Sequence, residues 1–314
     1  MAPNQCSAVA APDTLWAFCP NTGAAYAFTV FFGLSFIGHV AQGVLYKKAY
    51  TWVVAMSALW QTVAYIFRIL SINEPASLGN YAAWFVLILV APLWTNAFVY
   101  LVQMVMGRMV WNFTSRAKVF GISAWRFTSI FVVLDVVAFV VQVYGAASTQ
   151  SSPTISNEEV LKDLHIYMGG VGIQQLFILV FLGYAIGFHR TIKRQTALDG
   201  HARSRALVML YTLYICLLLI TIRIVFRLIE YSKGLQSTIP NHEAYQYCLD
   251  SLPMLVALVA LNVVHPGRLM PGSDNNLPSR KERKNGLRHK SGFEHFDMSA
   301  ARKPDDREDN ITWV

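Results

Sequence analysis

Seven long apolar runs constrain the fold of this chain more than any other feature of its sequence. Each has about 20 residues, the length that an α-helix needs to cross the hydrocarbon core of a bilayer. The gaps between them are rich in Gly, Pro, Ser, Asn and charged residues, which favour loops. The runs are Ala24–Leu45, Thr51–Leu70, Tyr81–Met106, Phe127–Ala146, Met168–Phe188, Leu207–Ile229 and Tyr245–Val264. The sequence therefore predicts an all-α, polytopic membrane protein with seven transmembrane helices.

The charged residues agree with this interpretation, because they are few and lie mostly between the runs. Only 14% of the 314 residues are charged and 54% are hydrophobic, whereas a typical soluble domain has about 25% charged residues. Lys and Arg are concentrated in the first, third and fifth gaps and after His265. The positive-inside rule then places the N-terminus outside and the C-terminus in the cytosol. The net charge of +8 is therefore explained by basic residues on the cytosolic side of the membrane. Because it needs no nucleic acid to explain it, we expect no nucleic-acid partner.

The chain divides into three predicted parts. Residues 1–23 form an extracellular segment without Lys or Arg, and since a signal peptide starts with basic residues, we expect no cleavage. Residues 24–267 form the membrane domain. Residues 268–314 mix acidic and basic residues with few large apolar ones, which predicts a disordered cytosolic tail. An oxidising compartment would permit a disulfide between Cys6 and Cys19, but two free thiols are equally compatible with the sequence.

Polar and ionisable side chains recur inside the runs at helical spacing, which places them on single helix faces. An ionisable group in the hydrocarbon costs about 2.5–3.5 kcal/mol on insertion scales, so such groups usually face the protein interior. One set, on the outer side, is predicted to form an ionic gate cluster of Arg68, Arg223, Arg227, Glu230 and Asp250. A second set comprises the candidate substrate-binding residues His39, Gln42, Gln103, Asp135, Gln142 and Gln175.

Both sets also have a structural interpretation. Arg227 and Glu230 can form an i, i+3 surface pair, and Arg68 can extend toward the interface. The glutamines can form hydrogen bonds between helices. Asp135 is harder to explain in this way, because it lies about 12 Å from the cytosolic end of its helix and the sequence offers no obvious cationic partner at that depth.

Several classes of enzyme lack their motifs in this sequence. There is no G-x-x-x-x-G-K-[ST] loop for ATP, no G-x-S-x-G, no H-E-x-x-H and no Cys-x-x-Cys, the patterns of P-loop ATPases, serine hydrolases, metalloproteases and thiol redox sites. We therefore expect no enzyme activity, no cofactor and no metal site.

Motifs in the runs point to a family. The most specific are Arg223-x-x-Phe226-Arg227-x-x-Glu230-Tyr231, Asp250-x-x-Pro253-Met254 and Asn262-x-x-His265-Pro266-Gly267, and earlier runs add His39-x-x-Gln42-Gly43 and Tyr65-x-x-Arg68. Together they resemble the fungal lipid-translocating exporters, seven-span proteins linked to resistance against aminocholesterol and similar toxic amphiphiles. The resemblance covers roughly Ala24 to Gly267. The chain departs from the family pattern at Gln61, where an acidic residue is expected, so no ion pair or proton step is assigned there.

The resemblance implies a plasma-membrane protein that exports or flips amphiphilic lipids, such as sphingoid long-chain bases, with membrane lipids and an amphiphilic small molecule as its partners. A cationic headgroup would enter from the cytosolic leaflet, be drawn to Asp135, and then pass the ionic cluster, which acts as a gate. The alternative is a receptor-like sensor of lipid or chemical stress, because G-protein-coupled receptors have the same number and orientation of spans. The third run ends in Gly107-Arg108-Met109 and not in the acidic-Arg-Tyr triplet of common receptors.

Overall fold

Nearly all of the regular structure in the described residues is helical. The computed structural model describes residues 6–47, 51–88, 109–110, 118–119, 122–123, 133, 136–145, 148, 157–194, 200–232 and 239–269. Within these ranges the only strands are β1 (Lys118–Val119) and β2 (Ile122–Ser123), a short antiparallel pair in which Val119 lies opposite Ile122. The all-α prediction is confirmed. The sequence predicts a disordered tail over residues 268–314. Residues 270–314 lie outside the described ranges, so this stays a prediction.

The described helices follow the predicted runs. After a short helix, α1 (Ser7–Ala10), five helices are long and apolar enough to cross a membrane, and they coincide with the first, second, fifth, sixth and seventh runs. Two shorter apolar helices overlap the third and fourth runs. In chain order they are α2 (Thr22–Leu45), α3 (Trp52–Asn73), α4 (Leu78–Ile88), α5 (Val136–Gly145), α6 (Asn157–Arg194), α7 (Gly200–Tyr231) and α8 (Glu243–Leu269). The total of seven spans and their sidedness stay predictions.

Helix α6 is longer than its apolar run. Its 38 residues extend over about 57 Å at 1.5 Å per residue, whereas the hydrocarbon core of a bilayer is about 30 Å thick. The first turn carries Glu158 and Glu159, and the last turn carries Lys193 and Arg194. These charges complement the helix dipole at both ends, so both ends can continue as helix into the polar region beside the membrane.

Helix α8 changes its winding along its length. It begins as an α-helix at Glu243–Gln246, passes through a π-helical turn at Tyr247–Ser251 and continues as an α-helix over Leu252–Val263. Pro253 supplies the reason, because proline lacks an N–H donor and its ring clashes with the carbonyl four residues earlier. The wider turn relieves this crowding, and the N–H of Leu252 bonds to the carbonyl of Tyr247.

Helix α8 also joins two helix pairs. Helix α2 packs along α3, α6 packs along α7, and the Leu252–Val263 part of α8 packs against both α7 and α2. On the outer face of α2, Phe31, Leu34 and Ile37 are 52–61% exposed. Apolar side chains this large rarely form a contiguous exposed surface on soluble proteins, but a bilayer would cover them.

Helix α5 approaches α6 through two glycines. A Cβ atom on Gly145 would lie 2.6 Å from the backbone nitrogen of Tyr167, and one on Gly170 would lie 2.8 Å from Cγ of Gln142. Neither position has room for a side chain, so the two helices are in close backbone contact. Small residues allow this kind of packing between helices in membranes.

The N-terminal segment folds onto one end of the helices. Cys6 and Cys19 form a disulfide with their Cα atoms 5.9 Å apart. The sequence was compatible with a disulfide or with two free thiols, and the structure contains the disulfide. Trp16 is 3% exposed, and its indole N–H donates to the carbonyl of Ser71 at 3.0 Å. The backbone N–H of Asn21 donates to the carboxylate of Glu243 at 2.7 Å. These bonds attach the segment to α3 and α8.

Candidate functional site

Four charged side chains of α7 and α8 form a buried group, called here the charge network, of Arg223, Arg227, Glu230 and Asp250. None of them is more than 8% exposed. The two carboxylate oxygens of Asp250 pair with different arginines, Oδ1 with Nε of Arg223 and Oδ2 with Nη2 of Arg227. Nη1 of Arg227 also pairs with Glu230 at 2.7 Å. With two positive and two negative members, the charge network is neutral as a whole.

Hydrogen bonds extend the charge network to other helices. Arg223 donates to the carbonyl of Ile88 on α4 at 3.0 Å, and Arg227 donates to the hydroxyl of Tyr231 at 2.9 Å. The ring of Tyr231 meets Tyr167 of α6 edge to face, with ring centres 5.4 Å apart. Desolvating a charged group costs several kcal/mol unless partners satisfy it. The ion pairs and hydrogen bonds of the charge network offset part of this cost, and with the contact of Tyr231 they link α4, α6, α7 and α8.

Asp250 lies within the π-helical turn of α8. Its neighbour Ser251, also in the turn, forms a hydrogen bond with the hydroxyl of Tyr65 on α3. Turns of this kind are rare and occur frequently at functional sites. Because one turn carries contacts to both α7 and α3, a change in its winding would alter the contacts with both helices.

Arg68 is enclosed by three aromatic rings and one carboxylate, called here the arginine cage. The members are Trp16, Trp84, Tyr247 and Glu243. The guanidinium carbon is 4.4 Å from the ring centre of Trp84 and 5.2 Å from the ring centres of Trp16 and Tyr247. Nη2 pairs with the carboxylate of Glu243 at 2.6 Å. Cation–π contacts of desolvated groups contribute about 2 kcal/mol each. Because Trp16 belongs to the N-terminal segment, this segment forms one wall of the arginine cage.

The ion-pair partner of Arg68 is not Glu230 or Asp250, the two acidic residues of the predicted ionic cluster. It is Glu243. Glu243 lies seven residues, about 10 Å of helix, before Asp250, so the two carboxylates lie at different levels of α8. Arg68 lies at the level of Glu243. The sequence motif of the seventh run includes His242-Glu243, but Glu243 was not predicted as a member of the ionic cluster, although a signal was present. Glu243, Tyr247 and Asp250 occur at i, i+4 and i+7, the spacing of a single helix face.

A second group of polar side chains lies between α2 and α8, and it is called here the polar layer. It consists of Ser35, His39 and Gln42 on α2 and Asn262 on α8. Nε2 of His39 lies 3.2 Å from the carbonyl of Leu258, and the amide of Gln42 donates to the carbonyl of Asn262 at 2.8 Å. The amide of Asn262 donates to the hydroxyl of Ser35 at 3.0 Å. The spacing i, i+4 and i+7 on α2 puts its three members on one face.

Three buried acceptor atoms of the polar layer have no hydrogen-bond partner among the described residues. They are Nδ1 of His39, Oε1 of Gln42 and Oδ1 of Asn262. Because Nε2 of His39 faces a carbonyl, that nitrogen carries the hydrogen in the neutral ring, and Nδ1 is left as an acceptor. A group of acceptors without donors suits a ligand that brings several N–H or O–H groups.

The remaining predicted substrate-binding residues do not join the polar layer. The amide of Gln142 on α5 donates to Gln174 on α6 at 3.1 Å, so Gln142 belongs to the contact between α5 and α6. Oε1 of Gln175 on α6 is buried and has no hydrogen-bond partner among the described residues. Gln103 and Asp135 lie outside the described residues. In the part of the chain that the structure covers, no three His, Cys, Asp or Glu side chains come together as ligands for a metal ion.

Comparison with known proteins gives consistent matches along most of the chain. The family described as "RTA1 like protein" matches residues 54–273. "Probable lipid transporter atnI" of Emericella nidulans is 40% identical over 267 residues, 82% of this chain and 69% of that protein. "Protoporphyrin uptake protein 1" of Saccharomyces cerevisiae is 28% identical over 205 residues, 65% of each chain. "Sphingoid long-chain base transporter RSB1" of Saccharomyces cerevisiae is 22% identical over 303 residues, 82% of this chain and 75% of that protein. No solved structure matches.

Proposed function

The chain belongs to the RTA1-like protein family, and on this premise we propose that it translocates amphiphilic lipids across the plasma membrane. The proposed cargo is a sphingoid long-chain base or a toxic amphiphile with a cationic headgroup. Two relatives support this cargo class, since their names are a probable lipid transporter and a sphingoid long-chain base transporter. The sequence contains no ATP-binding loop, so the proposed movement runs downhill or is coupled to protons.

The polar layer is the proposed binding place for the headgroup. An ammonium group carries three N–H donors and no acceptor, which complements the unpartnered acceptors of His39, Gln42 and Asn262. Asp135 on the fourth run adds the negative charge in this proposal. The hydrocarbon tail stays in lipid, because the outward face of α2 is apolar.

The charge network is the proposed gate. Its ion pairs hold α7 against α8 in the arrangement described here. Opening must exchange partners rather than leave a charge alone, because removing one partner from a buried pair costs about 3–5 kcal/mol. A neutral group of two acids and two arginines permits such an exchange without any change in net charge.

The position of Asp250 is the single observation that carries the gate proposal. The carboxylate that binds both arginines lies in a π-helical turn that ends at Ser251, two residues ahead of Pro253. A π turn that tightens to an α turn rotates the following helix and moves the carboxylate. The gate residue and the adaptable part of the backbone therefore coincide.

Liposomes containing only the purified protein and a fluorescent sphingoid base test this proposal. We expect the protein to accelerate movement of the base between leaflets. Binding of the base without any acceleration would overturn translocation and support the receptor-like sensor instead. Protein-free liposomes give the spontaneous rate.

Two variants examine the proposed path in the same assay. Asp135→Asn should slow flipping because it removes the charge that draws the amine. Pro253→Ala restores a backbone donor in α8 and should slow flipping while the protein stays folded, and Pro75→Ala, between α3 and α4, is the matched proline control. Flipping at the unchanged rate by correctly inserted Pro253→Ala protein would contradict the role of the π turn.

A further inference from the structure

A groove between α6 and α7 has a chemistry that the proposed cargo path does not use. It has a volume of about 450 Å³. Small-molecule sites usually occupy about 300–1,000 Å³, so the groove has room for a lipid headgroup and the beginning of an acyl chain. Its lining residues are Leu182, Ile186, His189, Arg190 and Lys193 of α6 and Tyr214 of α7.

The groove is apolar at one end and basic at the other. Leu182 and Ile186 are one helical turn apart, and Arg190 and Lys193 continue along the same face to within a residue of the end of α6 at Arg194. This order places the apolar part toward the middle of the membrane and the basic part at its boundary. The groove thus has the polarity of an amphiphile that lies parallel to the helix.

His189 occupies the junction between the two ends. The hydroxyl of Tyr214 lies 3.4 Å from Nδ1 of His189, and the ring of Tyr211 meets the imidazole edge to face at 5.8 Å. Nε2 is buried and has no hydrogen-bond partner among the described residues. When Tyr214 donates to Nδ1, the neutral ring carries its hydrogen on Nε2. That atom is then a buried donor that faces no acceptor.

The charges of the groove select the sign of its ligand. Among the described residues, no Asp or Glu lines the groove, and neither Arg190 nor Lys193 pairs with a carboxylate. The groove therefore repels the cationic headgroup proposed as cargo and attracts an anion. Lys and Arg at a helix end are expected from the positive-inside rule alone, but the buried Nε2 of His189 and the apolar strip beside it are not.

We propose that this groove binds an anionic phospholipid of the cytosolic leaflet. The headgroup phosphate lies against Arg190, Lys193 and Nε2 of His189, and an acyl chain lies along Leu182 and Ile186. Phosphate oxygens accept the forked donors of a guanidinium especially well. The positive-inside pattern predicts this end of α6 to be cytosolic, and anionic lipids are abundant in that leaflet. The lipid is a bound partner and not cargo, so this site does not depend on translocation.

Binding to the purified full chain in a neutral detergent tests the site. The probes are dioctanoyl phosphatidylserine, dioctanoyl phosphatidylcholine and inorganic phosphate, and the affinity is taken from the rise in unfolding temperature during titration. We expect phosphatidylserine to bind more tightly than the other two. The double variant Arg190→Gln/Lys193→Gln should lower that affinity about thirtyfold.

A second double variant distinguishes binding in the groove from general attraction of an anion to positive charge. Arg194→Gln/Arg205→Gln removes the same charge from the same end of α6 and α7 but from residues that do not line the groove, so it should keep the affinity within about twofold. His189→Phe keeps an aromatic ring and removes the Nε2 donor, and it should weaken binding severalfold. Equal loss in both double variants would overturn the proposal, as would equal binding of phosphatidylcholine or of phosphate alone.

Discussion

Asp250 is the residue on which the charge network depends most. It is 1% exposed and satisfies two arginines with its two oxygens, whereas Glu230 contacts only one of them. Buried ion pairs contribute little net stability compared with apolar residues of the same shape, yet breaking one is strongly destabilising. The importance of Asp250 therefore lies in what its removal would leave unpaired.

Replacing Asp250 with Asn should destabilise the protein by about 3–5 kcal/mol, because Arg223 loses its carboxylate and Arg227 keeps only Glu230. Chemical unfolding of the detergent-solubilised protein, followed by circular dichroism, measures this. The matched control is Asp163→Asn, since Asp163 is partly exposed on α6 and has no ion pair among the described residues. Equal stability of the two variants would show that the charge network is not a structural unit.

Between elements, backbone approach decides how closely helices can pack. Helix α5 lies so near α6 that Gly145 and Gly170 have no room for a Cβ atom. A Cβ atom on the nearby Gly169, on the same helix as Gly170, would meet no described residue within 4 Å. Among the described residues, the packing therefore requires glycine at position 170 but not at position 169.

Gly145→Ala should force α5 away from α6, because the atoms that it meets are backbone atoms that cannot rotate aside. We expect a loss of about 1–3 kcal/mol, as for other overpacked contacts. Gly169→Ala should instead be neutral or stabilising by up to about 1 kcal/mol, since alanine favours a helix over glycine. The midpoint of thermal unfolding separates the two outcomes, and a destabilised Gly169→Ala protein would contradict this packing.

At the scale of the whole molecule, the N-terminal segment unites the helices at one end. Trp16 encloses Arg68, Asn21 binds Glu243, and the disulfide between Cys6 and Cys19 closes the segment on itself. The orientation predicted from Lys and Arg puts this end outside the cell, where a disulfide persists. The disulfide therefore gives a direct way to test the predicted sidedness.

A chain with Cys216 and Cys248 replaced by Ala has cysteines only at positions 6 and 19, where they form the disulfide. In intact spheroplasts, a membrane-impermeant maleimide should label this chain only after treatment with an impermeant phosphine reductant. Mass spectrometry of the purified chain measures the labelling. If labelling of protein located in the plasma membrane requires permeabilised membranes, the N-terminus faces the cytosol and the predicted orientation is wrong.

The sequence by itself determined the all-α membrane class, the family and the positions of the described span helices. A bilayer imposes a one-dimensional requirement, about 20 consecutive apolar residues in a helix, and the runs that meet it are visible without knowing any contact. The cost of burying a charge likewise singled out Arg223, Arg227, Glu230 and Asp250 as residues that need partners.

Only the tertiary structure decided which partner each residue has. Helical spacing states which side chains share a face, but not which neighbouring helix that face meets or at what depth. For this reason Arg68 pairs with Glu243 and not with Asp250, and Gln142 binds Gln174 rather than joining the polar layer. The placement of Trp16 over Arg68 also depends on contacts between distant parts of the chain. Packing in three dimensions sets these pairs, because each depends on the rotation and depth of one helix against another.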